Sequence, residues 1–240
     1  MQPAHYQIWD DVLRWVEGAL AEGASARPSH LMQLHQIYDG SNALAFLIGK
    51  AEGHDSPGSR LAWEAHWDLQ AAILLGAGAY YKQAGALLRG PLEMALLGPY
   101  LHDHGAEHAA WVKDPQQRTP GHRCCEDYVL SKPPADAYDA KFGLRKEISA
   151  CWDRLSAYVH TRGALREAID QARENVVRFD ASNFDAWQQH ALWVYDILTT
   201  CALLHYASLA QFGESDEIGL VRAPKPQQSI INLRCYLDWL

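Results

Sequence analysis

The run AAILLGAGAYYKQAGALLRGPLEMALLGPYL, from Ala71 to Leu101, constrains the fold more than any other part of the chain. Its 31 residues carry only three charges, Lys82, Arg89 and Glu93, so most of it must be buried. A buried strand spans roughly 4–8 residues, so a run of this length favours helix. The charges interrupt it before the roughly 18 apolar residues that a bilayer-spanning helix needs. Its small residues let neighbouring helices approach closely, and Pro91 should kink it. The stretch from Ser59 to about His102 therefore reads as the buried centre of a helical bundle.

Helical periodicity continues on both sides. Ile8, Trp9, Val12, Leu13, Val16 and Leu20 recur at three and four, marking an amphipathic first helix with Pro3 near its start. Ser29 can cap a second helix through Leu31, Leu34 and Tyr38, which continues to Ile48 if Gly40 is tolerated. EGHDSPGS is a loop, Ala106 to Lys113 a short helix, DPQQRTPGHR another loop and PADAYDAKFG a short turn. Further helices are expected over Leu144–His160, Ala164–Asn175 and Asn183–Phe212, and RAPKPQQ links to a terminal helix over 228–240. VVRFD is the one candidate extended segment; there is no internal repeat, period-2 strand or glycine-rich phosphate loop. The expected fold is all-α, a multi-helix bundle with short irregular segments, in a single domain over 1–240 with its core at 59–212.

Composition narrows the function classes. With 48% hydrophobic and 21% charged residues the chain is globular rather than disordered, and nine Trp and eleven Tyr make an aromatic core expected. The N-terminal MQPAHYQIWDD has neither the basic start nor the apolar stretch of a signal peptide, so a cytoplasmic protein without membrane attachment is expected. Five scattered cysteines without a CxxC pair fit reduced thiols better than a disulfide framework or zinc ribbon. A net charge of −8 argues against indiscriminate nucleic-acid binding. The balance is uneven: Lys141 to Arg178 holds eight Lys and Arg against five Asp and Glu, +3, leaving −11 elsewhere.

Inside that basic window stands RLSAYVHTRG, Arg154 to Gly163. An Arg followed by His after four to six residues should occur about twice by chance in this composition; the other instance is Arg60 to His66. On the helix, Ile148, Trp152, Leu155 and Val159 fall within an arc of about 60° and read as the inward stripe. Arg154 and His160 then lie on the outer flanks, about 120° apart, with Ser156 on the His160 side. Gly163 is a natural stop, which puts His160 in the last turn, where the helix dipole favours a protonated ring.

ALLRGPLEMALLGPYL, followed some sixty residues later by LSAYVHT at a helix end, resembles the HEPN superfamily (higher eukaryotes and prokaryotes nucleotide-binding). The resemblance covers about residues 80–162. It implies a HEPN-like bundle acting as a homodimeric, metal-independent endoribonuclease without cofactor, in a toxin or defence role. The family's Arg and His at the dimer cleft map onto Arg154 and His160; the residue after the Arg, often polar in active members, is here Leu155. RNA cleavage by 2′-hydroxyl attack needs a base, an acid and a cation to stabilise the phosphorane, and a twofold dimer supplies two His and two Arg. In this reading His160 is acid and base, Arg154 stabilises the phosphorane, and Glu93 and Ser156 position them. Lys141, Arg145, Lys146, Arg162 and Arg166 of the basic window are the candidate RNA contacts.

Other constellations keep other classes open. Arg89 and Glu93, four apart in an apolar stretch, are either a structural ion pair or, through Glu93, an orienting group for Arg154 or His160. HDHGAEH brings together His102, Asp103, His104, Glu107 and His108, the basis of a metal-dependent hydrolase reading, although no HExxH or HD-type partner accompanies it. RCCED beside His122 offers a Cys and His pair but no third member. A non-catalytic helical protein binding a protein partner, nucleotide or small ligand on the same bundle is the other alternative.

Overall fold

The apolar run folds as consecutive helices rather than as one kinked helix. The structure, a computed structural model, describes Arg14, Glu17, Gly18 and Ala21 and residues 28–114, 116, 118–160, 179–212 and 215–224, apart from the side chains of residues 28–31, 160 and 210. The helices are α1 (Pro28–Glu52), α2 (Pro57–Ala77), α3 (Tyr81–Leu87), α4 (Arg89–Asp103) and α5 (Gly105–Lys113). They continue as α6 (His122–Leu130), α7 (Ala135–Phe142), α8 (Leu144–His160), α9 (Ala181–His205), a 3-10 turn (Ala207–Phe212) and α10 (Asp216–Arg222). No strand occurs among the described residues.

Local chemistry sets the breaks. Pro57 opens α2 behind Ser56, whose hydroxyl accepts from the Ser59 amide at 3.2 Å. The chain leaves α2 through Ala79, held at φ 63 in the left-handed region. Pro91 falls in the first turn of α4, where a missing N–H leaves no helical bond unmade, so it sits at a helix start and the expected kink is not needed. The proline inside α4 is Pro99.

Gly40 is tolerated within α1 because of what lies beside it. A Cβ there would collide with the Tyr195 hydroxyl, which donates to the Val221 carbonyl at 2.8 Å. One missing side chain thus lets α9 pack on α1 and ties α10 to both. α2 packs mainly on α1 and α4, α9 crosses α4, and α3 and α8 pack together on that core. Trp187, Tyr195 and Tyr138 are among the largest fully buried side chains, as the aromatic content led one to expect.

The inward stripe of α8 differs from the one expected. Ile148 and Leu155 are buried, but Val159 is 43% exposed and Trp152 only half-buried; Leu144, Cys151 and Tyr158 complete the buried face. Two of these, Cys151 and Tyr158, are weaker apolar signals in sequence, yet α3 and α9 lie on their side of the helix. PADAYDAKFG is not merely a turn: it forms α7, ended by Gly143 at φ 72. α6 and α10 were not anticipated, and the helix expected to reach Phe212 ends at His205 before the 3-10 turn. The helices expected over 164–175 and 228–240 lie outside the described residues, as do most of the first helix and of VVRFD. No described helix is long and apolar enough to cross a membrane.

Candidate functional site

The corrected register of α8 puts Arg154 about 80° from the centre of the buried stripe, on the side of Tyr158 one turn later. Tyr158 can reach inward because it lies over Gly85 of α3, where a Cβ would strike the aromatic ring. Both side chains meet His190 of α9. Arg154 Nε donates to His190 Nε2 at 3.2 Å, and His190 Nδ1 lies 2.9 Å from the Tyr158 hydroxyl. A guanidinium only donates, so Nε2 must be the unprotonated nitrogen of a neutral ring; Nδ1–H then donates to Tyr158. Burial, then the charge of Arg154, pushes His190 down to about 4, and burial raises the Tyr158 phenol. At neutral pH His190 is therefore a fixed acceptor, not a proton carrier.

Arg154 is exposed and its partner is uncharged. Among the described residues no carboxylate pairs with it. One nitrogen is tied to a neutral ring while the side chain is exposed and keeps its charge, an arrangement suited to an anion. His160 is the last residue of α8, and its side chain lies outside the described set. Ser156 is half-buried on the same helix.

Two other described arginines near α8, Arg89 and Arg145, are compensated. Arg89 Nε donates to Glu93 Oε1 at 3.0 Å, so the pair suggested by the spacing is present. The Arg89 guanidinium also lies 4.1 Å from the centroid of the Trp152 ring, which stacks on His122 at 3.8 Å. Glu93 therefore touches α8 through Arg89 and Trp152, while the residue that holds Arg154 is His190. Arg145, a candidate RNA contact, is drawn into an acidic cluster: Nη1 bonds Asp127 at 2.5 Å and lies 3.5 Å from Glu126, and Nε is 3.8 Å from Asp139. Its charge is balanced locally, which removes it as a free phosphate ligand. Lys141 and Lys146 are exposed, Lys141 with its ammonium 5.0 Å from the Phe142 ring centroid. Arg162 and Arg166 lie outside the described residues.

The His-rich turn diverges rather than converging on a point. His104 stacks on Tyr100 at 4.0 Å and its Nδ1 donates to the Tyr100 carbonyl at 2.7 Å. Glu107 accepts from the Tyr100 hydroxyl, Asp103 accepts from that of Tyr128, and His108 packs toward Trp111. His102 faces Glu52 at 3.6 Å. Among the described residues no group of three or more His, Cys, Asp or Glu is placed to hold a metal ion. In RCCED, Cys124 is exposed and Cys125 buried; burial first pushes the Cys125 thiol up to about 12, and burial with nearby Arg89 pushes His122 down to about 4. A buried thiol of that kind is a poor nucleophile.

Sequence reasoning missed His190 and Tyr158. Tyr158 stood in the LSAYVHT motif four residues after Arg154, a spacing that shares a helix side. His190, in DAWQQHALW, gave only the weak signal of a lone imidazole beside the polar Gln188 and Gln189 of a mostly apolar helix. Comparison with family models, curated proteins and solved structures finds no match to this chain.

Proposed function

We propose that the chain is a HEPN-like, metal-independent endoribonuclease, acting in the cytoplasm as a homodimer. The observation that carries this reading is Arg154: exposed, oriented by an uncharged partner and, among the described residues, without a carboxylate to neutralise it. Two copies would set two such arginines and two His160 residues around one RNA strand. The 2′-hydroxyl attacks the neighbouring phosphorus, its proton passing to one His160, while Arg154 stabilises the charge on the phosphorane. The His160 of the second copy protonates the departing 5′-oxygen, leaving a 2′,3′-cyclic phosphate and a 5′-hydroxyl. Ser156 positions this centre from α8, and Glu93 steadies α8 through Arg89 against Trp152. Lys141, Lys146, Arg162 and Arg166 supply the flanking positive charge.

One observation favours a second reading, non-catalytic binding of a phosphate-bearing ligand or partner. The histidine that meets Arg154 is a buried neutral acceptor, which can orient but not shuttle protons. The two readings separate on purified protein incubated with single-stranded RNA in EDTA. Wild type should release fragments ending in 2′,3′-cyclic phosphate, and His160→Ala should lose cleavage while staying folded. RNA that is bound but left intact by wild type and His160→Ala alike would select the second reading.

A further inference from the structure

The three hydrogen-bonding groups Tyr158, His190 and Arg154 form a line from the core to the surface, and the order of their donors is fixed. The Arg154 Nε–H needs a lone pair at Nε2, which forces the His190 proton onto Nδ1, which in turn needs the Tyr158 oxygen as acceptor. His190 and Tyr158 are 9% and 6% exposed, so neither ring nitrogen has bulk water as an alternative partner. Tyr158 is held by close packing on Gly85 and meets the His190 ring edge-on, with centroids 5.6 Å apart.

The contrast with other arginines gives this line its meaning. Arg60, Arg89 and Arg145 are each fixed by a carboxylate, which orients them and cancels their charge. A neutral histidine does the first without the second. An exposed arginine side chain otherwise loses rotamer freedom when a ligand orders it. Part of that loss is incurred here on folding.

We propose that Tyr158 and His190 are positioning residues that lock Arg154 as a ligand for a phosphate group, presented to Nη1 and Nη2 as a bidentate pair. The proposal rests on the reading that the Arg154 site takes phosphate, but not on cleavage. Tyr158 sets the tautomer of His190, the tautomer sets the acceptor for Nε–H, and that bond aims the guanidinium. Without the tyrosine oxygen, His190 can move its proton to Nε2, where it opposes the Arg154 Nε–H instead of accepting it.

The test is ¹⁵N NMR on the full-length protein, following the Arg154 Nε–H and the His190 ring nitrogens while inorganic phosphate is added. In wild type, His190 should show the Nδ1–H tautomer, and phosphate should shift the Arg154 resonance saturably. Tyr158→Phe keeps the ring that fills the space beside Gly85; it should convert His190 toward the Nε2–H tautomer and weaken phosphate binding roughly three- to tenfold. His190→Gln, whose amide oxygen can still accept from Arg154, should retain more affinity than His190→Leu. Tyr158→Phe leaving both tautomer and affinity at the wild-type values would overturn the proposal, as would phosphate that never perturbs Arg154. Intact phosphate binding with no RNA cleavage would instead sink the ribonuclease reading and leave this one standing.

Discussion

Arg145 and Arg154 stand nine residues apart on one helix, in surroundings of opposite character. Arg145 reaches toward Asp127, Glu126 and Asp139, so that end of α8 is joined to α6 and α7 by charge and the charge of Arg145 itself is cancelled. Arg154 reaches His190, a neutral ring supported by a phenol, and keeps its charge. A count of basic residues treats the two alike. What distinguishes them is the ionisation of the partner, which decides whether an ordered arginine serves as a structural tie or as a receptor for an anion.

The largest expected effect breaks the receptor side. Arg154→Ala should reduce RNA cleavage in EDTA at least about a hundredfold, the scale associated with removing one group that stabilises developing charge, with an unchanged circular dichroism spectrum. Next comes acidification. Because the folded His190 titrates about 4 instead of its ordinary 6.5, its contribution to stability is present above pH 6.5 and is lost as pH falls through about 4. That loss should be about 2–3 kcal/mol and largely absent from His190→Gln in urea melts between pH 7 and 4. Asp196, raised by burial to about 7 from 3.8, acts in the opposite sense, losing its contribution as pH rises through that window, and Asp196→Asn isolates it.

Gly85→Ala sharpens the link between packing and site. The added methyl meets the Tyr158 ring, so it should cost about 1–3 kcal/mol in chemical denaturation and also weaken phosphate binding. Arg145→Ala tests the structural side. It removes a cation beside Glu126, which is buried, and should lower stability by about 1–2 kcal/mol at neutral pH. The deficit should shrink on acidification, since burial already raises the Glu126 carboxyl and a protonated acid does not need the arginine. Smallest is Val159→Ala: a residue 43% exposed should change stability by less than about 0.5 kcal/mol, whereas the expected stripe made it a core position.

The fold was legible where burial writes a long apolar record. The helical, buried character of the Ala71–Leu101 run, though not its breaks, the Leu144–His160 helix and the Arg89–Glu93 pair could be read from the sequence, because each depends on neighbours within one or two turns. The face of α8 could not. Tyr158 and Cys151 turn inward because α3 offers the space above Gly85 and α9 lies alongside, facts set by residues distant in sequence. The site was half legible for the same reason: Arg154 and Tyr158 share a motif, but His190 lies 36 residues from Arg154 and is brought to it only by the crossing of α8 and α9. Charge counting failed at Arg145 because its three carboxylates come from α6 and α7.

The most direct test of the contrast between the two arginines is equilibrium binding of a fluorescent single-stranded RNA whose 2′-oxygens are methylated, and which therefore cannot be cut by 2′-hydroxyl attack, at low salt, comparing Arg154→Ala with Arg145→Ala in protein shown to be folded. Arg154→Ala should bind at least about tenfold more weakly than wild type, and Arg145→Ala should stay within about twofold of it despite its lower stability. Equal losses in both variants, or a larger loss in Arg145→Ala, would contradict the assignment of Arg154 rather than Arg145 as the arginine of α8 that receives the phosphate.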